Sequence, residues 1–222
     1  MSAARQSGPI AMPPDMIIVS DAASFQAATA ANAQQMADLE AFRALLEDWN
    51  GKMNLVGPSA MAQFWGRHAY DSAQLLDLAP EALTWADLGA GAGFPGLVLA
   101  ILLKARPGAK VHLVETLAKR CRFLSCVVET LGLPAEVHNG RAEALSLKTD
   151  RVVARAFAPL DRLLGFAQPY LKAGAIGLFL KGEGLDAERA EAEKLWSFQY
   201  QTYPSRSDPR GRIIEIRGLK HG

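Results

Sequence analysis

The first part of the chain has the hydrophobic period of helices. One apolar stripe recurs at intervals of three and four residues, at Leu39, Phe42, Leu45, Leu46 and Trp49. This spacing is typical of an amphipathic helix, and Gly51 is its expected end. A second helical segment is expected from about Ser59 to Leu78, where Pro80 follows. Residues 1–20 contain several prolines and no sustained period, so we expect a flexible tail before a helical segment over residues 21–80.

After residue 80, short apolar runs of strand length alternate with helical segments. The expected strands are Thr84–Leu88, Lys110–Glu115, Ala135–Asn139, Arg151–Ala156, Ala175–Leu180, Phe198–Tyr203 and Arg212–Arg217. Alternation with short connections predicts a parallel sheet that is covered by helices on both faces. The last two strands follow each other without a helix, so they are expected to form an antiparallel pair at one edge. We therefore predict one α/β domain over residues 81–222, with the helical segment packed on it.

The composition of the chain excludes few classes of protein. The chain has 222 residues, half of them hydrophobic, and a net charge of +1. It lacks the basic surplus of many nucleic-acid-binding proteins, so any RNA contacts must come from local patches. Its longest apolar runs fall far short of the ~20 residues of a membrane span, and no signal peptide is evident. We expect a cytoplasmic protein without a membrane segment.

Cysteine and histidine give no indication of a metal centre in the sequence. Cys121 and Cys126 form neither a disulfide framework nor a set of zinc ligands. His112, His138 and His221 are scattered along the chain. We therefore expect no metal.

A glycine cluster follows the first expected strand. Asp87–Gly96 reads Asp-Leu-Gly-Ala-Gly-Ala-Gly-Phe-Pro-Gly, a turn that lets the backbone pass close to a ligand. Gly91, Gly93 and Gly96 also match the dinucleotide fingerprint. Glu115 ends the next strand and suits the two hydroxyls of a ribose in either case. The motif alone leaves three interpretations open, namely S-adenosylmethionine, a nicotinamide or flavin dinucleotide, and a structural turn.

Two features favour S-adenosylmethionine. Asp87 precedes the glycines directly, and a carboxylate there suits an ammonium group but repels a pyrophosphate. The antiparallel pair at the end of the sheet also departs from the parallel units of a classical dinucleotide domain. We predict S-adenosylmethionine as the cofactor.

The order of the motifs resembles one family, the bacterial small-subunit rRNA guanine-N7 methyltransferases, also called glucose-inhibited division protein B. The resemblance is carried by Asp48–Leu55, Arg67–Ser72, Asp87–Gly96, Val114–Arg120, Gly140–Glu143, Val153–Ala156 and Leu180–Gly182. It implies a Rossmann-like class I methyltransferase fold, with a mostly parallel seven-stranded sheet, an antiparallel edge and N-terminal helices. It also implies transfer of a methyl group from S-adenosylmethionine to N7 of a guanine in 16S rRNA. The chain departs from the family in its first thirty residues and at Val56-Gly57.

The resemblance also implies where the methionine end of the cofactor would bind. Gly89, Gly91 and Gly93 would let it approach the backbone, and Asp87 would lie near its ammonium group. Phe94 would lie against the cofactor.

The nucleoside end is implied in the same way. Glu115 would accept hydrogen bonds from both ribose hydroxyls, and Ala142 and Glu143 would meet the adenine. Arg155 would lie at the mouth of the pocket, where it would anchor either the cofactor's carboxylate or the RNA. A structural ion pair is the alternative for this arginine.

The chemistry of guanine N7 is consistent with these residues. N7 carries a lone pair and no proton, so its methylation needs no general base and no covalent intermediate. Alignment of the reacting atoms would supply most of the catalysis. We therefore expect Arg155 to act as a positioning residue.

RNA contacts are expected from polar residues near the pocket mouth. The candidates are Lys52, Asn54, Arg67, His68, Lys119, Arg120 and Arg122. Because side chains cannot reach N7 in A-form RNA, the target must be unpaired or presented by a folded particle. The alternatives are a solvated helix face at 119–122 and, at His68, a histidine whose hydrogen bonds are satisfied within the protein.

The expected partner is 16S rRNA or the small ribosomal subunit, and the expected state is a monomer. Two other functions stay open. One is a dinucleotide-dependent oxidoreductase, and the other is a non-catalytic ribosome-binding factor.

Overall fold

The computed structural model describes residues 16–57 and 61–222. Most of the expected tail therefore lies outside the described residues. Residues 16–20 form neither helix nor strand, and the N–H of Ile17 donates to the carbonyl of Arg206 at 3.2 Å. Within the described ranges, every helix is too short or too polar to cross a membrane.

Among the residues that the structure describes, the helical segment includes three α-helices and one π-helical stretch; the expected start of the second helix, at Ser59, lies outside those residues. They are α1 (Ala22–Thr29), α2 (Ala33–Met53), the π-helical Phe64–Tyr70 and α3 (Asp71–Leu78). Contrary to the prediction, Gly51 does not end α2. The helix continues to Met53, and Asn54 ends it in the left-handed conformation, with its N–H donating to the carbonyl of Asn50. Asparagine tolerates that conformation, so it replaces glycine as the terminating residue.

The sheet has the predicted architecture. Its strands are β1 (Thr84–Leu88), β2 (Lys110–Glu115), β3 (Ala135–Asn139), β4 (Arg151–Arg155), β5 (Ile176–Lys181), β6 (Trp196–Pro204) and β7 (Arg212–His221). They lie in the order β3-β2-β1-β4-β5-β7-β6. The first five strands of this order are parallel, and β7 is antiparallel to both β5 and β6. The predicted seven-stranded, mostly parallel sheet with an antiparallel edge is confirmed.

Helices cover both faces of the sheet and enclose two hydrophobic cores. The connecting elements are α4 (Gly96–Leu103), α5 (Ala118–Leu131), a 3-10 turn (Ala142–Ala144), α6 (Leu160–Lys172) and α7 (Leu185–Ala192). Trp85 of β1 packs into one core with Phe42 of α2. Leu88, three residues further along β1, packs into the other core with Leu163 of α6. Because side chains alternate along a strand, β1 is buried on both faces and its carboxyl end opens into the turns that form the site.

Candidate active site

The turn after β1 requires glycine at several positions. Gly89, Gly91 and Gly93 have φ angles of 73°, 55° and 93°. A Cβ atom at Gly89 would lie 2.3 Å from Cδ2 of Phe157. The turn therefore needs glycine both for its backbone conformation and for the close approach of an aromatic ring.

Asp87 lies fully buried beneath this turn. Its Oδ2 accepts a hydrogen bond of 2.8 Å from the N–H of Gly96 at the start of α4. Its Oδ1 is also buried and has no hydrogen-bond partner among the described residues. Burial raises the pKa of Asp87 to about 7, although the bond from Gly96 and the charge of Arg155 act in the opposite direction. The carboxyl group therefore titrates near neutral pH and keeps one acceptor free for a cationic group.

Glu115 joins the turn after β1 to the turn after β2. Its Oε2 accepts from the N–H of Gly91 at 3.1 Å, and its Oε1 accepts from the N–H of Leu117 at 2.9 Å. Nη1 of Arg120 lies 3.6 Å from Oε2. The side chain is almost entirely buried, so these donors hold its two oxygens at a fixed place in the wall of a cavity.

That cavity is the smaller of two that meet at the carboxyl end of the sheet. It has a volume of about 310 Å³, and Gly89, Glu115, Gly140 and Ala142 are in its wall. The carbonyl of Ala142 accepts a hydrogen bond of 3.0 Å from the hydroxyl of Tyr170, which fixes this part of the wall. Backbone and small side chains around one buried carboxylate form a surface suited to a nucleoside.

The larger cavity, of about 670 Å³, is lined by charged side chains together with apolar and small residues. Arg67, Asp71, Arg155 and Asp208 are in its wall. These four charges are paired, since Arg67 forms an ion pair with Asp208, and Nη1 of Arg155 lies 3.7 Å from Oδ2 of Asp71. An incoming phosphate would therefore compete with carboxylates for these arginines.

Phe157 forms the boundary between the cavities. The ring belongs to both walls, together with Ala156. Ala156 adopts a φ of 50°, an unfavourable conformation for a residue with a side chain, and this backbone directs the next side chain towards Gly89. Phe157 is 38% exposed and also contacts Phe166, with 5.2 Å between the ring centroids. An exposed aromatic ring thus lies where a cofactor and a substrate would meet.

Arg155, at the end of β4, is held by three contacts. Its Nη1 donates to the carbonyl of Arg67 at 2.9 Å, besides approaching Asp71. Its Cζ lies 5.3 Å from the centroid of the Phe94 ring. Burial lowers its pKa, and the charges of Asp71 and Asp87 oppose that change. The approach to Asp71 is the structural ion pair that was the alternative for this arginine, and a contact with the cofactor or the RNA stays a prediction.

Phe94 is buried among the aromatic residues of the helical segment. Its ring centroid lies 5.2 Å from that of Phe42 and 5.8 Å from that of Phe64, and it is in neither cavity wall. His68 stacks on the same ring, with 4.9 Å between the ring centroids. The expected contact between Phe94 and the cofactor stays a prediction, whereas its support of His68 and Arg155 is observed.

His68 is a neutral group in the wall of the larger cavity. Burial, together with the charges of Arg155 and Arg67, lowers its pKa to about 4. Both ring nitrogens are buried, and neither has a hydrogen-bond partner in the part of the chain that the structure describes. The interpretation as a satisfied histidine therefore finds no support in the described contacts.

The RNA candidates fall into two groups. Arg67 and His68 line the larger cavity, and Arg120 lines the smaller one. The candidates outside both cavity walls are Lys52, Asn54, Lys119 and Arg122. Lys52 forms an exposed ion pair with Asp48. Glu143 likewise lies outside both walls, and its carboxylate is 3.9 Å from Arg141. Roles for these outlying residues stay predictions.

Sequence reasoning missed some residues that build the site. The side-chain amide of Asn139 donates to the carbonyl of Glu115 at 3.1 Å and to that of Thr116 at 2.9 Å. Phe157 was likewise given no role, although it directly follows the Arg155-Ala156 motif. For Asn139, the only signal was its place at a strand end before Gly140.

Comparison with known proteins agrees with the family that the sequence motifs resemble. The family model for GidB, rRNA small subunit methyltransferase G, matches residues 35–210. The ribosomal RNA small subunit methyltransferase G of Caulobacter vibrioides NA1000 is 58% identical over 210 residues, covering 95% of this chain and 96% of that protein. The protein of the same name from Parvibaculum lavamentivorans is 47% identical over 208 residues, covering 92% of each.

Solved structures with this fold include a SAM-dependent methyltransferase from Aquifex aeolicus. It has a TM-score of 0.53 and 14% identity, over 78% of this chain and 97% of that one. The SAH-bound methyltransferase from Podospora anserina has a TM-score of 0.56 and 14% identity, over 81% of this chain and 87% of that one. The chain therefore belongs to the rRNA small subunit methyltransferase G family, a family of S-adenosylmethionine-dependent enzymes, as its motifs predict.

Proposed function

We propose that this protein transfers a methyl group from S-adenosylmethionine to N7 of a guanine in 16S rRNA. One observation carries the proposal. A cavity suited to a nucleoside, with Glu115 fixed in its wall, meets a larger charged cavity at Phe157. The names of the similar proteins support a small-subunit rRNA substrate. We further infer a monomeric, cytoplasmic enzyme that acts on the rRNA or on the small subunit.

The residues of the smaller cavity fit the cofactor. The carboxylate of Glu115 has lone pairs beyond the two that Gly91 and Leu117 occupy, so it accepts both ribose hydroxyls. Ala142 and Gly140 lie where small residues leave room for the adenine. Asp87 lies beneath the glycine turn and in neither cavity wall, and its unpaired Oδ1 is the acceptor that we infer for the ammonium group. Bound S-adenosylmethionine supplies a methyl group on a sulfonium, which is the electrophile of the reaction.

The larger cavity fits an unpaired nucleotide. A base that stacks on Phe157 would have its edge near Arg155 and His68, and a phosphate would compete with Asp208 for Arg67. Since guanine N7 already has a lone pair, these side chains orient the base and need not remove a proton. The neutral state of His68 is compatible with this role because it adds no positive charge beside a base that becomes cationic.

The test is methyl transfer to small subunits that lack the modification. With tritium-labelled cofactor, the protein should label a guanine, and digestion should release 7-methylguanosine. Glu115→Ala should weaken cofactor affinity by about tenfold or more, because two hydrogen bonds to a charged acceptor are lost. The control is Glu129→Ala, a change at an exposed glutamate of α5.

Two results would contradict the proposal. Label on an adenine or a pyrimidine would exclude guanine N7 as the target. Unchanged affinity in Glu115→Ala, measured by calorimetry, would exclude the smaller cavity as the cofactor site. Competition by nicotinamide dinucleotides would favour the oxidoreductase alternative.

A further inference from the structure

We propose that His112, Glu136 and His138 bind one divalent cation of the zinc class at the outer edge of the sheet. The ligand atoms of the three side chains all lie within 4.8 Å of one another. The two histidines are 26 residues apart in the chain, which is why the sequence indicated no metal site. This inference is independent of the proposed function.

Strand register brings the three side chains together. The parallel strands β2 and β3 pair His112 with Glu136 and Val114 with His138. Glu136 and His138 are two residues apart on β3, so their side chains point to the same face. His112 lies directly opposite Glu136, and cross-strand partners share a face. The backbone therefore holds three potential ligands in a triangle.

The distances between ligand atoms suit a small cation. Nδ1 of His112 lies 2.9 Å from Nε2 of His138, and that nitrogen lies 3.9 Å from Oε1 of Glu136. Ligands at ~2.0–2.1 Å from a tetrahedral zinc ion lie about 3.4 Å from one another. The observed separations fall on either side of that value, so small side-chain rotations would admit the ion. The hydrogen bond between the imidazoles would then be replaced by two metal bonds.

The surroundings of Glu136 support this arrangement. Nζ of Lys110 lies 2.6 Å from Oε2, which leaves Oε1 directed towards His138. A residue that fixes a ligand through its other atom is a common feature of metal sites. The side chain of His138 is 15% exposed and that of Glu136 is 50% exposed. An ion can thus enter from solvent and keep a water molecule as a fourth ligand.

The ligand types select the class of cation. Two imidazoles and one carboxylate suit Zn²⁺, Co²⁺ or Ni²⁺, whereas Mg²⁺ and Ca²⁺ prefer sites made of oxygen atoms. Since the ligands come from two strands, only the folded chain presents the site. The ion would therefore tie the edge strand β3 to β2 and stabilise the fold.

The test uses the full chain, free of any affinity tag and treated with a chelator. Calorimetric titration with Zn²⁺ should show one ion per chain, and Mg²⁺ should give no signal. At a free Zn²⁺ concentration of about a hundred times its Kd, Tm should rise by about 5 °C or more. His112→Ala and His138→Ala should each weaken Zn²⁺ binding by tenfold or more. The control is His221→Ala, a change at a histidine outside the group.

Comparison of the variants shows whether these three side chains bind the ion. Zn²⁺ affinity that is equal in the unsubstituted chain, His112→Ala and His138→Ala would overturn the proposal. The proposal would also be overturned if Cys126→Ser lost Zn²⁺ binding while both histidine variants kept it, because the ion would then be bound by a thiolate. If either histidine variant fails to fold, Glu136→Gln tests the same site at an exposed position and should also weaken binding.

Discussion

The guanidinium of Arg155 lies over the ring of Phe94, with its Cζ 5.3 Å from the ring centroid. His68 stacks on the same ring, and Phe42 and Phe64 contact it from within the core. The N-terminal helices therefore do more than cover the sheet. Their buried aromatic residues support the polar groups that line the larger cavity.

Arg155→Lys should impair the reaction of the substrate more than the binding of the cofactor. Lysine keeps the charge but loses the planar group that stacks on Phe94 and donates to the carbonyl of Arg67. Because Arg155 lines only the larger cavity, we expect methyl transfer to fall by about tenfold, or 1.4 kcal/mol. The Kd of S-adenosylmethionine should change by less than twofold. A large loss of cofactor affinity would instead indicate that Arg155 binds the cofactor's carboxylate. Arg141→Lys, at an exposed arginine, is the control.

Phe157→Ala should lower kcat/KM for the RNA substrate with little effect on stability. The ring is partly exposed, so its loss leaves no large internal cavity, but an unpaired base would lose its stacking surface. Stacking of one base contributes ~1–3 kcal/mol, so we expect a loss of at least about fivefold. Phe157→Trp should retain activity, and Leu195→Ala, at another exposed apolar residue, should leave it unchanged. Equal rates for Phe157→Ala and the unsubstituted enzyme would exclude the stacking role.

The affinity for S-adenosylmethionine should depend on pH through Asp87. Its pKa is about 7 because the carboxyl group is buried, so below pH 7 the group is increasingly protonated and neutral. An ammonium group binds the ionised form, and affinity should therefore fall as the pH is lowered from 7 to 5.5, by up to about tenfold per unit. Calorimetry should show proton release on binding. In Asp87→Asn this dependence should be absent, and an identical slope in both proteins would assign it to another group.

Stability should fall in acid through His68. Its pKa is lowered to about 4 in the folded chain, from 6.5, so between these values the unfolded chain takes up a proton that the folded chain does not. The neutral ring makes its full contribution to the free energy of unfolding above pH 6.5, and this contribution is lost as the pH falls towards 4. His68→Phe keeps an aromatic ring on Phe94 and should make the decrease of Tm between pH 6.5 and 4.5 smaller. His221→Phe, at an exposed histidine, should leave that decrease unchanged.

Local patterns in the sequence are sufficient to predict the sheet and the glycine turn. The alternation of strand and helix identifies the order of elements, and Asp87 and Glu115 stand at strand ends where a parallel sheet must bring them together. Hydrophobic periodicity does not encode contacts between distant residues. The pairing of Arg67 with Asp208, the bond between Gln74 and Ser205, and the meeting of the two histidines on β2 and β3 follow only from the fold. Gly51 was misleading because a glycine within a helix and a glycine that ends one look alike in sequence.

The ion pair between Arg67 and Asp208 joins residues 141 positions apart, and so ties the wall of the larger cavity to the late hairpin of β6 and β7. During translation the glycine turn is made long before this hairpin. The larger cavity is therefore complete only after the last two strands have been made, because Asp208, Gly211 and Arg212 belong to its wall.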